Sequence, residues 1–325
     1  MKKLTKLGLL ISFTLLTIGA CSTGQPPIDA EGRPLIVKTG TIDCDMVETT
    51  PVVFKDKVYR FEYVRTNYWN NKTGDSYFRF VDHETGKPTT SFARGFHFGS
   101  AVVLDNIAYV TAVDKGDGER IYIFASHDLE NWEQWMAFEL PGWGMFNTSM
   151  VKVKDNFVMM FEVGKPEIEA GERFTAHFAT SPDLKKWEIL SRDHNYAMDR
   201  YTAPHCLRYL DGYYYDFYLE AFQGYEARVV RSTDMIHWEA SPLNPVLKAS
   251  AADKQIANKN LSDSLLQKIA VAENLNNSDI DFCEYKGKLI INYSWGNQMG
   301  KEFLGEAVYN GTQEQFLKGW FPEKK

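Results

Sequence analysis

Cysteine is scarce in this chain of 325 residues: Cys21, Cys44, Cys206 and Cys283 are the only four. One of them, Cys21, is expected to carry lipid, so three remain, and an odd count gives no disulfide framework. No C-x-x-C pair and no His-x-x-x-His pair occurs. The usual metal-ligand spacings are therefore missing, and neither a metal nor a cofactor is expected. Positive charge is also short. Lys and Arg total 36 against 43 Asp and Glu, a net charge of -7, which argues against nucleic acid as a partner. The apolar run at the N-terminus, Leu7 through Ile18, is too short to span a bilayer comfortably.

That run follows Lys2, Lys3 and Lys6 and ends Ile18-Gly19-Ala20-Cys21. Basic, apolar and small-residue regions in this order make a signal peptide. The ending is similar to a bacterial lipobox, with cleavage before Cys21 and lipid on its thiol. The expected partner there is a membrane, reached through a lipid anchor at the bacterial cell envelope, on the outer membrane or cell surface or in the periplasm. The plainer alternative is a signal peptide with an incidental cysteine. Residues 1–20 are then leader, 21–34 a polar tether, and 35–325 one domain.

What the chain has is a repeat. Ser126-His127-Asp128-Leu129-Glu130-Asn131-Trp132 returns as Ser181-Pro182-Asp183-Leu184-Lys185-Lys186-Trp187 and as Ser232-Thr233-Asp234-Met235-Ile236-His237-Trp238. A pattern S-x-D-[LM]-x-x-W roughly every 50 residues is the mark of propeller blades or solenoids. Each copy follows a short apolar strand. Ser and Asp suit a turn because they bond nearby backbone amides. Five strand–turn–strand units align, starting at Thr50, Ser100, Ser149, His205 and Asp281. Their centres are the pairs Lys-Asp, Asp-Asn, Asp-Gly or Lys-Gly, which is hairpin chemistry. The expected fold is all-β: a five-bladed β-propeller of four-stranded blades. Between units four and five, Leu261, Leu265, Leu266 and Ile269 recur at helical spacing, so a short helical insertion is expected within about 249–277.

In a propeller the first strand of every blade lines the axis, and the hairpin returns the second strand's end to the same face. The strand starts carry Glu48, His97, Asn147, Thr202, Asp279 and Asp281. The second-strand ends carry Glu62, Glu162, Glu220 and Trp295. Paired carboxylates in a pit with aromatics are the tools of glycoside hydrolysis, since crowding and burial separate their pKa values. The plain readings stand beside this one. Glu62, Glu162 and Glu220 share a similar register and can be structural carboxylates of the repeat. His205 can be a core histidine, and Asp279 can cap a turn. Arg94, Arg173, Arg200 and Arg228 either contact substrate or pair with these acids. Tyr68, Trp69, Trp143, Trp295 and Phe222 either stack on sugars or pack.

The five units, the S-x-D turns and the run Ala203-Pro204-His205-Cys206-Leu207-Arg208-Tyr209-Leu210-Asp211-Gly212-Tyr213-Tyr214-Tyr215 resemble the five-bladed propeller glycosidases, family 43 and relatives such as families 117, 32 and 130. In family 43 an Asp before a Pro in the first blade is the base. A second Asp tunes the site, and a Glu-Gly-Pro-His motif brings the acid. The resemblance implies Glu48, in Glu48-Thr49-Thr50-Pro51, as the base, with Asp281 or Asp279 tuning or positioning. The acid motif maps onto Thr202-Ala203-Pro204-His205, where Thr202 replaces the acid glutamate. That departure leaves Glu162, Glu220 and His205 as candidate donors. Candidate substrate contacts are His97, Arg200, Asp279, Trp295 and Arg94. The implied function is an exo-acting, inverting glycoside hydrolase on oligosaccharides from plant or algal polysaccharide. A non-catalytic carbohydrate-binding propeller and a glycoside phosphorylase are the alternatives.

Overall fold

Hairpin turns set the blades. Lys55-Asp56, Asp105-Asn106, Asp211-Gly212 and Lys286-Gly287 all take positive φ at both central positions, the turn whose twist matches that of paired strands. The computed structural model describes residues 26–65, 75–221 and 224–323; the leader, Cys21, Tyr68, Trp69 and Phe222 lie outside them. The chain enters on β1 (Val37–Cys44) and builds blade one from β2 (Thr49–Phe54), β3 (Lys57–Arg65) and β4 (Ser76–Asp82). Blade two is β5 (His97–Leu104), β6 (Ile107–Val113), β7 (Arg120–Ser126) and β8 (Glu133–Glu139). Blade three is β9 (Gly144–Val153), β10 (Asn156–Lys165), β11 (Thr175–Ser181) and β12 (Glu188–Ile189), with helix α1 (Glu167–Ala170) between β10 and β11. Blade four is β13 (Thr202–Leu210), β14 (Tyr213–Glu220), β15 (Glu226–Ser232) and β16 (Glu239–Ala240). Helix α2 (Asp263–Val271) leads to blade five, which is β17 (Asn276–Tyr285), β18 (Lys288–Gly296) and β19 (Glu302–Tyr309), followed by α3 (Gln313–Gly319).

The protein is an all-β, five-bladed propeller with a short helical insertion between blades four and five. Two features go beyond the sequence reading. The fourth strand of blade five is β1, antiparallel to β19, so the ring is closed by joining the two ends of the chain. Blade one has three regular strands, and isolated bridges from Phe92 and Pro88 to β4 stand in for a fourth. Residues 26–34, expected as tether, fold back in the structure. Ile28 bridges Pro34, and buried Pro34 packs close against Gly319 of α3.

The repeat is the far-rim turn after each third strand. Ser126 Oγ accepts from the amides of Asp128 and Leu129, and Asp128 Oδ1 from those of Glu130 and Asn131. Ser232 and Asp234 repeat this pattern. The residue after each Asp (Leu129, Leu184, Met235) takes positive φ and turns its side chain into the core. Trp132 then stacks on Phe92 at 3.9 Å.

Alternation along β3 and β4 gives blade one two unlike faces. Phe61, Tyr63, Phe78 and Phe80 turn toward blade two and join the aromatic core that runs on to blade three. Arg60, Glu62 and Arg79 turn the other way, toward blade five. With Asp43 of β1 and Glu306 of β19 they line a crevice of about 590 Å³.

Candidate functional site

The strand starts do not run regularly. Pairing registers break between His97 and Ser100, between Thr202 and His205, and between Ser278 and Asp281. Such bulges re-aim side chains. At two of them a non-glycine residue takes positive φ, Phe98 at 53° and Asp279 at 52°. The result is a cavity of about 300 Å³ on the axis. Below it the channel narrows to about 30 Å³ between Thr50, Ser100, Thr148, His205 and Asp281.

Glu48, Glu162 and Asp279 line this pit. Glu48 Oε2 is 3.0 Å from Arg65 Nη1. Burial pushes its carboxyl up to about 7, and the Arg65 guanidinium acts against that rise. Among the described residues, Glu162 has no Lys or Arg partner. Its Oε2 accepts from Asn147 Nδ2 at 3.0 Å, and its Oε1 lies 3.2 Å from His205 Nδ1. Burial raises Glu162 well above the usual carboxylate range, and the Asp279 charge adds to the rise. Asp279 Oδ2 accepts from Ser278 and Ser294 hydroxyls, both at 2.6 Å. Burial raises it too, against those hydrogen bonds.

The opposite wall is aromatic. Phe98 meets Phe146 edge-on at 5.4 Å, Phe146 meets Phe174 at 4.4 Å, and Phe174 meets Tyr201 at 5.9 Å. All four line the cavity. Sequence reasoning missed them, although a signal was there. Phe146 and Tyr201 immediately precede the strand-start residues Asn147 and Thr202, as Val47 and Ser278 precede Glu48 and Asp279, so aligning the blades one residue earlier finds half of the wall, whereas Phe98 follows His97 and Phe174 lies between strands.

Other expected residues sit elsewhere. His205 lies beneath the pit, fully buried against Glu162. Asp281 is in the channel, held by Arg208 and accepting from the Phe282 amide. His97 is behind the wall. Its Nδ1 is 2.5 Å from the Tyr63 hydroxyl, and burial drives its imidazole down to about 4, so it is a neutral core histidine. Glu220 is outside the cavity lining, with Arg200 at 3.1 Å, Arg228 at 3.7 Å and the Tyr218 hydroxyl at 3.2 Å. Arg200 is thereby engaged with Glu220 and Asp199. Arg94 is exposed, 5.6 Å from the Tyr77 ring. Trp295 is fully buried and stacks on Phe303 at 4.5 Å. Its indole N–H donates to Thr41 Oγ1, so it offers no face to a sugar.

No family model matches the chain, and no curated protein matches it. Solved structures do. A protein solved as an RGII complex covers 86% of this chain and 92% of its own, with a TM-score of 0.60 and 13% identity. A thermostable family-43 glycoside hydrolase covers 82% and 90%, at TM-score 0.57 and 11% identity. The fold is that of the five-bladed glycoside hydrolases. An α-L-arabinofuranosidase from Fusarium graminearum, solved with an iminosugar inhibitor, belongs to the same set: TM-score 0.55, 11% identity, 85% and 98% covered. At such identities the likeness is one of architecture. Any chemistry on this propeller is argued from the pit's own residues.

Proposed function

We propose that the protein is an exo-acting glycoside hydrolase that inverts the anomeric centre, with Glu48 as base and Glu162 as acid. One observation carries this reading: two buried carboxyls share a single pit but have opposite kinds of partner. Among the described residues, Glu48 has a guanidinium, and Glu162 only an amide and an imidazole. Environments that push two carboxyls apart assign acid and base. Protonated Glu162 gives its proton to the glycosidic oxygen, while ionised Glu48 takes one from the water that attacks the opposite face of the sugar. Asp279, electrostatically coupled to both, raises their proton affinity. The aromatic wall suits the apolar face of a ring. A pit that narrows sharply below admits one terminal sugar, hence exo action.

Among the described residues, Arg65 is the only Lys or Arg lining the cavity, and Glu48 holds it. That favours water over phosphate as the acceptor. The substrate class we infer is an oligosaccharide from plant or algal polysaccharide, met at a bacterial envelope to which lipid on Cys21 ties the protein. A screen of aryl pentosides and deoxyhexosides, then polysaccharide-derived oligosaccharides, tests the activity. Release of a single monosaccharide with inverted configuration by NMR is the expected result. Binding without turnover would make the protein a carbohydrate-binding propeller. Cys21→Ala is expected to move the protein from the membrane to the soluble fraction; a variant still in the membrane after processing defeats the anchor.

A further inference from the structure

Asp216 on β14 is a fully buried carboxyl that this scheme does not use. Its Oδ2 accepts from the Tyr196 hydroxyl at 3.1 Å, and its Oδ1 has no hydrogen-bond partner among the described residues. Leu207 pairs with Asp216 and His205 with Tyr218, so Asp216 and His205 are diagonal neighbours across two strands. That places both on the face of blade four that meets blade three, where diagonal side chains come within reach of each other. His205 presents Nδ1 to Glu162, and its Nε2 is buried with no partner among the described residues. The two unpartnered atoms thus belong to neighbours whose charges act on one another.

We propose that Asp216 is a positioning residue for the acid Glu162, acting through His205. As a carboxylate it draws the imidazole hydrogen to Nε2, leaving the Nδ1 lone pair to accept the acid hydrogen of Glu162. Which ring nitrogen carries the hydrogen is set by the partner of the other. The proposal rests on the reading of Glu162 as the acid. The ionisation states agree with it. Burial keeps His205 below its ordinary range and therefore neutral, pushes Glu162 well above the usual carboxylate range, toward the protonated form, and raises Asp216 only to about 6, so Asp216 is ionised at pH 7.5. The other groups facing these three are Tyr196, Tyr218 and Cys206, with Asn147, Asp279 and Glu48 on the pit side. None of these is a cation that would compete for Asp216.

The test is the tautomer, read by ¹⁵N NMR on the full mature protein, with His205→Gln to assign the resonance. The expected state at pH 7.5 is neutral with hydrogen on Nε2, switching as pH falls through 6. Asp216→Asn removes the negative charge that favours hydrogen on Nε2, so the other tautomer gains, and its Nδ1–H favours ionised Glu162. The alkaline limb of kcat on a 4-nitrophenyl glycoside turned over by the wild type should move down by about one unit, with KM unchanged. Hydrogen on Nδ1 in the wild type at pH 7.5, or an unmoved alkaline limb in a folded Asp216→Asn, overturns the proposal. If Asp216→Asn does not fold, the wild-type pH titration of the tautomer decides. A wild type inert on every glycoside sinks the hydrolase reading instead, and the tautomer is still read.

Discussion

Glu62 and Glu162 are both buried near the end of a blade's second strand, yet they live in opposite electrostatic worlds. Glu62 is clamped by Arg60 at 2.5 Å and Arg79 at 2.6 Å. Glu162 has no Lys or Arg among its hydrogen-bond partners in the described residues. The cause is one residue of register. Thr49 pairs with Glu62 in blade one, while the matching Thr148 pairs with Phe161 in blade three. A one-residue offset in a strand turns a side chain to the other face. Glu62 therefore looks back into the crevice toward blade five, and Glu162 looks forward to the pit and His205. The similar register expected from the sequence is thus corrected, because counting strand ends does not resolve a single position. In the proposed scheme the acid is the glutamate from which ion pairing is withheld.

The sharpest break of this comparison is to neutralise each glutamate in turn. Glu162→Gln should lower turnover on the order of 10²–10⁴-fold, the usual worth of a positioned acid, and should not harm the fold. The linkage sign supports this. A carboxyl whose folded pKa lies above the unfolded value gives stability that is full below about 4.5 and lost as pH rises toward the folded pKa. Glu162→Gln should therefore melt higher than wild type at pH 8 and no higher at pH 4. Calorimetry at the two values checks it, and a variant destabilised at both would make Glu162 structural.

Glu62→Gln should do the reverse. Removing one partner of a buried ion pair strands the other, at a cost of about 3 kcal/mol, the low end because Arg79 reaches solvent. Denaturant unfolding should show that loss, with kcat/KM unchanged. A Glu62 variant as stable as wild type would mean that the crevice clamp contributes nothing to ring closure.

The acid limb of kcat/KM should fall near pH 7, because the base must be ionised and burial has raised Glu48 to about 7. Arg65→Gln takes away the guanidinium that acts against that rise and should move the limb upward. A limb left in place would separate Arg65 from the base.

Much of this is legible in the sequence, for physical reasons. The S-x-D turns encode themselves in local hydrogen bonds, and the hairpin pairs encode their own φ. The inner-strand positions of Glu48 and Asp279 follow from blade counting. What stays hidden depends on contacts distant in sequence. β1 joins β19 across some 260 residues of chain, and nothing local in Val37–Cys44 names its partner. The bulges at His97 and Ser278 exchange inside for outside, which is why Phe98 lines the pit and His97 does not. Trp295 reads as a rim aromatic because its strand ends there, but it packs inward on Phe303.

The smallest effect expected is at the third sister carboxylate, Glu220. It sits in blade four at a strand end, as Glu62 and Glu162 do, and the sequence alone makes it one of three candidate donors. Its oxygens are shared by two arginines and a tyrosine, and it lines no part of the pit. The pairs are partly solvated, with Arg200 and Arg228 each about a quarter exposed or more, so screening limits their worth to about 1 kcal/mol. Glu220→Gln should therefore cost no more than that in stability and leave kcat and both limbs of the pH profile where they were. A loss of the size expected for Glu162→Gln would move the acid to blade four and, with it, the site toward Arg200.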